Sequence, residues 1–396
     1  MPNSAILGST PAFPEKLKLF HPTFPSNAEL APYLDRIRES GWISNFGPLS
    51  QRFEAEIAER LDAKHCIALG NLSTGLMYMP IAAGLSKGEV ILPSFTFMAT
   101  VHSLKLGGLT PVFADIHPEM LTLDPVSVEK AITPETVAVC GVHIYGNPCD
   151  IEGLQDVCDR HGLVLFFDSA HGLGSSYKGK PIGGFGLAEG FSTSVTKVMT
   201  TFGEGGFICT NNSQFAERLR LARNWGHTGN YDPVFPSICS KMPEINAAAG
   251  LIELTRLDQI LINRRRSVEK MTKRLTRLPG LRVPLIQPSN ISGYKDFTVR
   301  INADDFNMNR DQLAASLSAE GIETRKYFFP NVHQTQVYKN TYGTTHVSLE
   351  NSDKASQEVL CLPLHNSMPD KIINRLCDTI INIQSDAQAI KVNIGE

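Results

Sequence analysis

No stretch of this 396-residue chain carries the roughly 18 consecutive apolar residues that a membrane-spanning helix needs. An excess of basic residues is missing too. The 37 Lys and Arg stand against 40 Asp and Glu, for a net charge of −3 and a pI near 6.4. A nucleic-acid binder would show a basic face instead. The opening MPNSAILGSTPAFPEKLKLF lacks a basic segment followed by an apolar core, so no secretory signal is expected. The eight cysteines (66, 140, 149, 158, 209, 239, 361 and 377) form no CxxC pair. Most lie in apolar runs and read as reduced, buried residues of a cytoplasmic protein. Gly172-Leu173-Gly174 and Gly184-Phe185-Gly186 do not complete GxGxxG, and neither a Walker lysine nor HExxH occurs. No metal site, no nucleic acid and no membrane is therefore expected.

What is present is an ordinary globular composition, 42% hydrophobic and 19% charged, in a chain long enough for one large and one small domain. Residues 1–25 are proline-rich and read as an arm. Helices are expected over 29–40 and 50–61. Short apolar runs then alternate with helical patterns: strands at 66–69, 89–93, 111–115, 137–143, 163–168, 190–192 and 206–209, with helices from just after Gly75 to about Gly84 and over 98–106, 125–131 and 151–161. This alternation predicts a mostly parallel sheet covered on both faces, with ligands beyond the carboxyl ends of its strands. Ser73, Phe95, His143, Asp168, Ser192 and Lys197 fall at such ends. Residues 213–275 are helical and charged. From 280 onward strands (295–301, 323–328), helices (309–319, 369–385) and the apolar run 359–362 give an α+β pattern. The expected division is a large domain over 1–275 and a small one over 276–396.

Four local features point to one chemistry. Lys197 follows Ser192, Thr193, Ser194 and Thr196 and precedes Gly203-Glu204-Gly205-Gly206. A lysine desolvated in such a turn loses its proton readily and can form a Schiff base, although taken alone it reads more readily as a surface lysine on a loop. Asp168 ends the apolar run Phe166-Phe167-Asp168, where a carboxylate needs a cationic partner such as a protonated pyridine nitrogen, or serves as a helix N-cap. Gly70 to Gly75 leaves a strand and opens a helix, a place for a phosphate on backbone N–H groups with Ser73 and Thr74, or a plain capped helix start. Phe95 or Phe97 could stack on a planar ring or fill the core. His171, three residues beyond Asp168, could reach the same ligand. Together these supply what a pyridoxal phosphate enzyme requires.

With those motifs the chain resembles the sugar-nucleotide aminotransferases of the DegT/StrS family, of pyridoxal phosphate fold type I, over nearly its whole length. The matching stretches include SGWISNFGPL (40–49), GNLSTGL (70–76), PVFADIHP (111–118), FFDSAHGLG (166–174), FSTSVTKVMTTFGEGGF (191–207), KMPEINAAAGL (241–251) and TRKYFFP (324–330). The likeness is greatest to the branch that aminates nucleotide-linked 4-keto-6-deoxy sugars, such as the dTDP-viosamine-forming enzymes. It implies pyridoxal 5′-phosphate as cofactor, L-glutamate as amino donor, a nucleotide-linked keto sugar as acceptor, and a homodimer with shared active sites. It implies that Lys197 is the Schiff-base lysine and Asp168 the partner of the pyridine nitrogen. His171 lies beside the ring, Phe97 stacks on it, and Ser73, Thr74 and Ser192 bind the phosphate. Related sugar dehydratases carry histidine at the lysine position, so Lys197 argues for amino transfer. Two positions depart from the pattern: Leu72-Ser73 replaces the usual Gly-Thr, and Cys239 stands where the family's cross-subunit asparagine falls. Arg325, Lys326 and Tyr327, at the expected strand end, could meet the substrate diphosphate and sugar. The rivals are another keto-sugar specificity, GDP- or UDP-linked or a 3-keto sugar, and a non-catalytic regulatory protein that keeps the fold.

Overall fold

The computed structural model describes residues 4–341 and 347–394. Ahead of the sheet lie α1 (Asn27–Ser40) and α2 (Pro48–Arg60). The alternating part follows: β1 (His65–Leu69), α3 (Leu72–Ala83), β2 (Glu89–Pro93), α4 (Met98–Leu106), β3 (Thr110–Ala114), α5 (Pro125–Ala131), β4 (Thr136–Val142), α6 (Ile151–His161) and β5 (Val164–Asp168). A small hairpin, β6 (Ser176–Tyr177) and β7 (Lys180–Pro181), leads to β8 (Ala188–Ser192) and β9 (Gly206–Thr210). Every strand and helix expected up to residue 212 is present, with ends shifted by a few residues at most. The capping box at α1 explains one shift. Ser26 accepts from the Glu29 backbone N–H and Glu29 accepts from that of Ser26, so the helix starts at Asn27.

Seven strands form one sheet in the order β1-β9-β8-β5-β4-β2-β3. Only β9 runs antiparallel to its neighbours. The expectation of an α/β fold with a mostly parallel, doubly covered sheet therefore holds. Both faces are packed: Phe167, Cys209 and Val139 belong to the core on one side, Phe166, Ile208 and Cys140 to that on the other. This is why the strands read as continuous apolar runs. The register sets Val142 beside Asp168 and Asp168 beside Gly190. The carboxyl ends of β4, β5 and β8 thus meet at one edge.

After α7 (Ser213–Ala222) the chain is irregular to Pro243, so the helical stretch expected over 213–275 is two helices. The second, α8 (Glu244–Leu275), is 32 residues long. Its first residue caps another helix: the Glu244 carboxylate accepts from the Leu49 and Ser50 backbone N–H groups at 2.7 and 2.9 Å. Its last turns enter a different core, where Val268, Met271 and Leu275 meet Val299, Leu360 and Ile380.

That core is built on a three-stranded antiparallel sheet of β10 (Leu281–Arg282), β11 (Phe297–Ile301) and β12 (Val359–Leu362), with β11 in the middle. Helices α9 (Ala303–Phe306), α10 (Arg310–Ala319), α11 (Gln336–Thr341), α12 (Glu350–Glu358), α13 (Asp370–Ser385) and α14 (Ala387–Ile394) accompany it. The expected strand at 323–328 is not formed. Only Arg325 exchanges backbone hydrogen bonds with Cys361, and the rest of the segment turns away. The arm behaves unlike its place in the sequence. Phe13 and Leu17 pack in the C-terminal core, and the Glu320 carboxylate accepts from the Ala5 and Ala12 N–H groups, both at 2.7 Å. No helix among the described residues is long and apolar enough to cross a membrane.

Candidate active site

A cavity of about 450 Å³ opens at the edge where β4, β5 and β8 end. Lys197 enters it from the loop between β8 and β9. That loop is held by its own backbone: Thr193 N–H donates to Gly205 O at 3.0 Å, Val195 N–H to Gly203 O at 2.8 Å, and Thr201 N–H to Thr193 O at 3.1 Å. The Thr193 and Thr201 hydroxyls lie 2.7 Å apart and close over Gly205. A Cβ there would sit 2.1 Å from the Thr201 hydroxyl oxygen, so only glycine fits. The run of hydroxyls serves as a clamp that fixes where the lysine emerges.

By area Lys197 is half-buried, because it faces the cavity. Protein nevertheless surrounds its amine. Desolvation, then the neighbouring Lys295 ammonium, lower its pKa from 10.5 to about 7, against the pull of Asp296, Asp168 and Glu204. Asp168 lies in the same cavity and is 5% exposed. Its Oδ2 accepts from Thr100 Oγ1 at 2.7 Å and its Oδ1 from Ala170 N–H at 3.0 Å. Thr96 backs Thr100, hydroxyl to hydroxyl at 2.9 Å. Burial pushes the carboxyl pKa up although both hydrogen bonds oppose it. Among the described residues Asp168 has no ion-pair partner, although Lys197 and His143 lie near enough to favour its charged form, which leaves a buried carboxylate facing the cavity without a direct cationic contact. His171 is buried beside it. Its Nδ1 accepts from Tyr145 N–H at 3.1 Å, and burial, then Lys197 and Lys295, hold the ring neutral. The proton is therefore on Nε2.

Asn71, Leu72 and Ser73 line the cavity where α3 begins. Asn71 caps the helix by accepting from Thr74 N–H at 2.9 Å, which leaves the Leu72 and Ser73 N–H groups at the positive end of the helix. Ser192 and Ser194 also face the cavity. Phe97 is 51% exposed and stands at its mouth, 5.8 Å ring to ring from Phe328, which lies 6.4 Å from the His171 ring.

Of the residues singled out in the sequence, Lys197, Asp168, His171, Ser73, Ser192, Phe97 and Tyr327 meet here. The others do not line this cavity within the chain. The Thr74 hydroxyl is spent on Asn71 O at 2.9 Å and lies 2.5 Å from the Ser240 hydroxyl, since at the third helical position it turns back over the cap. Phe95 is core, edge-on to Tyr145. His143 is fully buried. It stacks on Phe167 at 4.8 Å and accepts at Nδ1 from Cys149 N–H. Arg325 pairs with Glu323 at 2.7 Å and Lys326 with Asp311 at 2.7 Å, both at the surface. Without a strand at 323–328, the alternation that would have aimed them inward is lost. Cys239 is the one exposed cysteine; the other seven are buried and free, as expected. The irregular stretch before α8 carries it outward. Sequence reasoning missed Thr100 and Lys295. Only Lys295 left a signal, as a charged pair with Asp296 at the entry of an apolar strand. No group of three or more metal-ligating side chains occurs among the described residues. A larger cavity of about 570 Å³, mostly apolar, lies between the end of α8 and residues 281–300 and holds neither Lys197 nor Asp168.

Fold and site together are of the transaminase class. The model of the DegT/DnrJ/EryC1/StrS aminotransferase family matches residues 26–381, and the chain belongs to that family. A dTDP-4-amino-4,6-dideoxy-D-glucose transaminase of Escherichia coli is 32% identical over 364 residues, covering 91% of this chain and 96% of the relative. A GDP-perosamine synthase of Caulobacter vibrioides is 35% identical over 349 residues, 87% and 92%. A crystal structure of DesI with its TDP-sugar product matches with a TM-score of 0.93 at 36% identity, covering 100% of this chain and 99% of that one.

Proposed function

We propose that this chain is a pyridoxal 5′-phosphate-dependent aminotransferase that moves an amino group from L-glutamate to a nucleotide-linked 4-keto-6-deoxy sugar, with dTDP-4-keto-6-deoxyglucose as the foremost acceptor. The observation that carries the reading is Lys197 and Asp168 in one cavity, an amine of lowered basicity and a buried carboxylate without a direct cationic contact. These groups fit the cofactor. Asp168 would hold the protonated pyridine nitrogen, the start of α3 with Ser73 and Ser192 would hold the phosphate, and Phe97 would cover the ring. The cofactor, when bound, supplies an electron sink for the carbon that exchanges its amino group. Lys197 supplies the amine that anchors it and then carries a proton to and from that carbon. His171 offers Nε2–H beside the ring, and Thr100 orients Asp168.

The E. coli relative and DesI support the dTDP-linked sugar. The Caulobacter relative, at comparable identity, favours a second reading with a GDP-linked acceptor. A regulatory protein without turnover is not favoured, since it would have no use for a buried carboxylate without an ion-pair contact in one cavity with a lysine of lowered basicity. We also infer a homodimer in which Cys239 lies near the neighbour's cofactor phosphate, and a division of the chain at the end of α8 into 1–275 and 276–396. Purified enzyme given L-glutamate and a panel of nucleotide-linked keto sugars tests the reading. Amination of the dTDP-linked 4-keto sugar ahead of the GDP- and UDP-linked ones supports it, and no amination of any member would refute it.

A further inference from the structure

Lys295 belongs to none of the motifs that marked the site. It stands at the entry of β11, and its backbone N–H donates to Tyr145 O at 2.9 Å. The residue is 6% exposed. It lines the cavity of Lys197 and also a much smaller one on the far side of Lys197, so the two lysines stand in the wall between them. Its Nζ reaches both oxygens of Asp296, at 2.9 and 3.1 Å, and lies 5.1 Å from the centroid of the Tyr327 ring. An ammonium has three donors. Two go to Asp296, and the third has no hydrogen-bond partner among the described residues.

Stability is a weak reason for such a pair. Two buried charges lose more hydration than a single carboxylate returns, and apolar residues of like size commonly serve a core as well or better. A second cation adds to the imbalance. Arg264, also buried, donates to Tyr294 O at 2.9 and 2.7 Å, Lys295 O at 2.7 Å, Leu364 O at 3.3 Å and the Asn366 side chain at 2.9 Å. Among the described residues it has no carboxylate partner of its own, so Asp296 stands against two cations. Lys295, Arg264 and Asp296 together sum to one positive charge, while Asp168 and Glu204 also line the cavity.

We propose that the Lys295 ammonium binds the α-carboxylate of the amino donor. The proposal rests on the transaminase reading above. Its ground is position. The carbon that gives up its amino group must come to Lys197, and in an amino acid the carboxylate is one bond from that carbon. In a nucleotide-linked 4-keto sugar the diphosphate sits a ring's width from the reacting carbon. A cation in the same wall as Lys197 therefore meets the carboxylate, not the diphosphate. Asp296 aligns the ammonium, and Arg264 fixes its backbone.

Two variants of the cofactor-loaded enzyme test this: Lys295→Met, and Lys295→Met with Asp296→Asn, which removes the ion pair as a unit and leaves no unpaired carboxylate at position 296 if the single change disturbs folding. Bleaching of the visible absorbance by L-glutamate in a single turnover reads the donor half of the reaction, and recovery with the keto sugar reads the acceptor half. The half-saturating glutamate concentration is expected to rise by roughly 10- to 100-fold in both variants, the range of a lost charge-assisted hydrogen bond. That for the sugar nucleotide should stay within about threefold. Unchanged glutamate saturation in the double variant overturns the proposal, as does a sugar shift that equals or exceeds the glutamate shift. Wild-type enzyme that binds the cofactor but is bleached by no amino acid would instead bring down the transaminase reading, and this proposal with it.

Discussion

Two segments of this chain each place a lysine near aromatic side chains at what looks, in sequence, like the end of a strand. At Lys197 the backbone closes on itself, paired hydroxyls seal the turn, and desolvation lowers the amine's basicity to about 7. At Lys326 the expected strand does not form, and the side chain meets Asp311 in an ion pair that water can reach. Such surface pairs contribute about 0–1 kcal/mol. What separates the two lysines is the order of the surrounding backbone, since enclosure makes an amine reactive while exposure leaves it a solvated charge.

The comparison breaks most visibly at Lys197 itself. Lys197→Ala should leave no detectable turnover while the protein stays folded and keeps some noncovalent cofactor, followed by amination assay and circular dichroism. Wild-type-like turnover would put this lysine in the same class as Lys326. Next in size is Asp168→Asn, which removes the charge and keeps the shape. The rate should fall more than about 100-fold, near 2.7 kcal/mol of barrier, with modest loss of cofactor. A rate within about threefold of wild type would make Asp168 a helix cap and nothing more.

The third test reads the enclosure directly. In the cofactor-free protein Lys295, Asp296, Asp168, Glu204 and the neutral His171 face the Lys197 amine. Cofactor capture needs the free amine, so its rate, followed as visible absorbance, should rise through pH 7 and level off by about pH 8. A midpoint near 10.5 would mean an ordinary solvated lysine. The sign for stability agrees. The lowered value lets the folded state bind fewer protons than the unfolded between about pH 7 and 10.5, so this group makes the apoprotein more stable as pH rises through that window.

Cys239 asks whether an exposed residue of one chain can act in the cavity of another. Cys239→Asn should tighten cofactor binding about tenfold by supplying a phosphate hydrogen bond that a thiol makes poorly. Equal or weaker affinity, measured by absorbance after dialysis, would place the loop elsewhere. The smallest effect is expected at Lys326. Lys326→Ala should change the KM values of sugar nucleotide and glutamate by less than about threefold. A large rise for the sugar alone would restore the substrate role that its sequence position suggests.

The legible parts of the site were those a single strand end can encode. Asp168 after two phenylalanines, Ser73 at a helix start and Lys197 before a glycine turn are each local patterns, and the sheet register brings them together. The arm, Lys295 and the segment 323–328 could not be read that way. Phe13 packs in the C-terminal core because Glu320, far along the chain, accepts from its neighbours' N–H groups. Lys295 enters the cavity only because a second sheet sets the start of β11 beside the first. Residues 323–328 have the composition of a strand, but Cys361 offers them a single backbone bridge and they turn away.

Helix α8 imposes a last condition. It is about 48 Å long. Glu244 docks one end on the start of α2, and twenty residues further on Arg264 grips the carbonyls of Tyr294 and Lys295. One residue inserted between those points would advance everything beyond it by about 1.5 Å and rotate it by about 100°. Arg264 would then face away from both carbonyls. Substitutions on the helix's outer face are free to accumulate over evolutionary time, but the count of residues from 244 to 264 is not. Among descendants that keep the activity, insertions and deletions should be barred from this interval and tolerated just past Leu275.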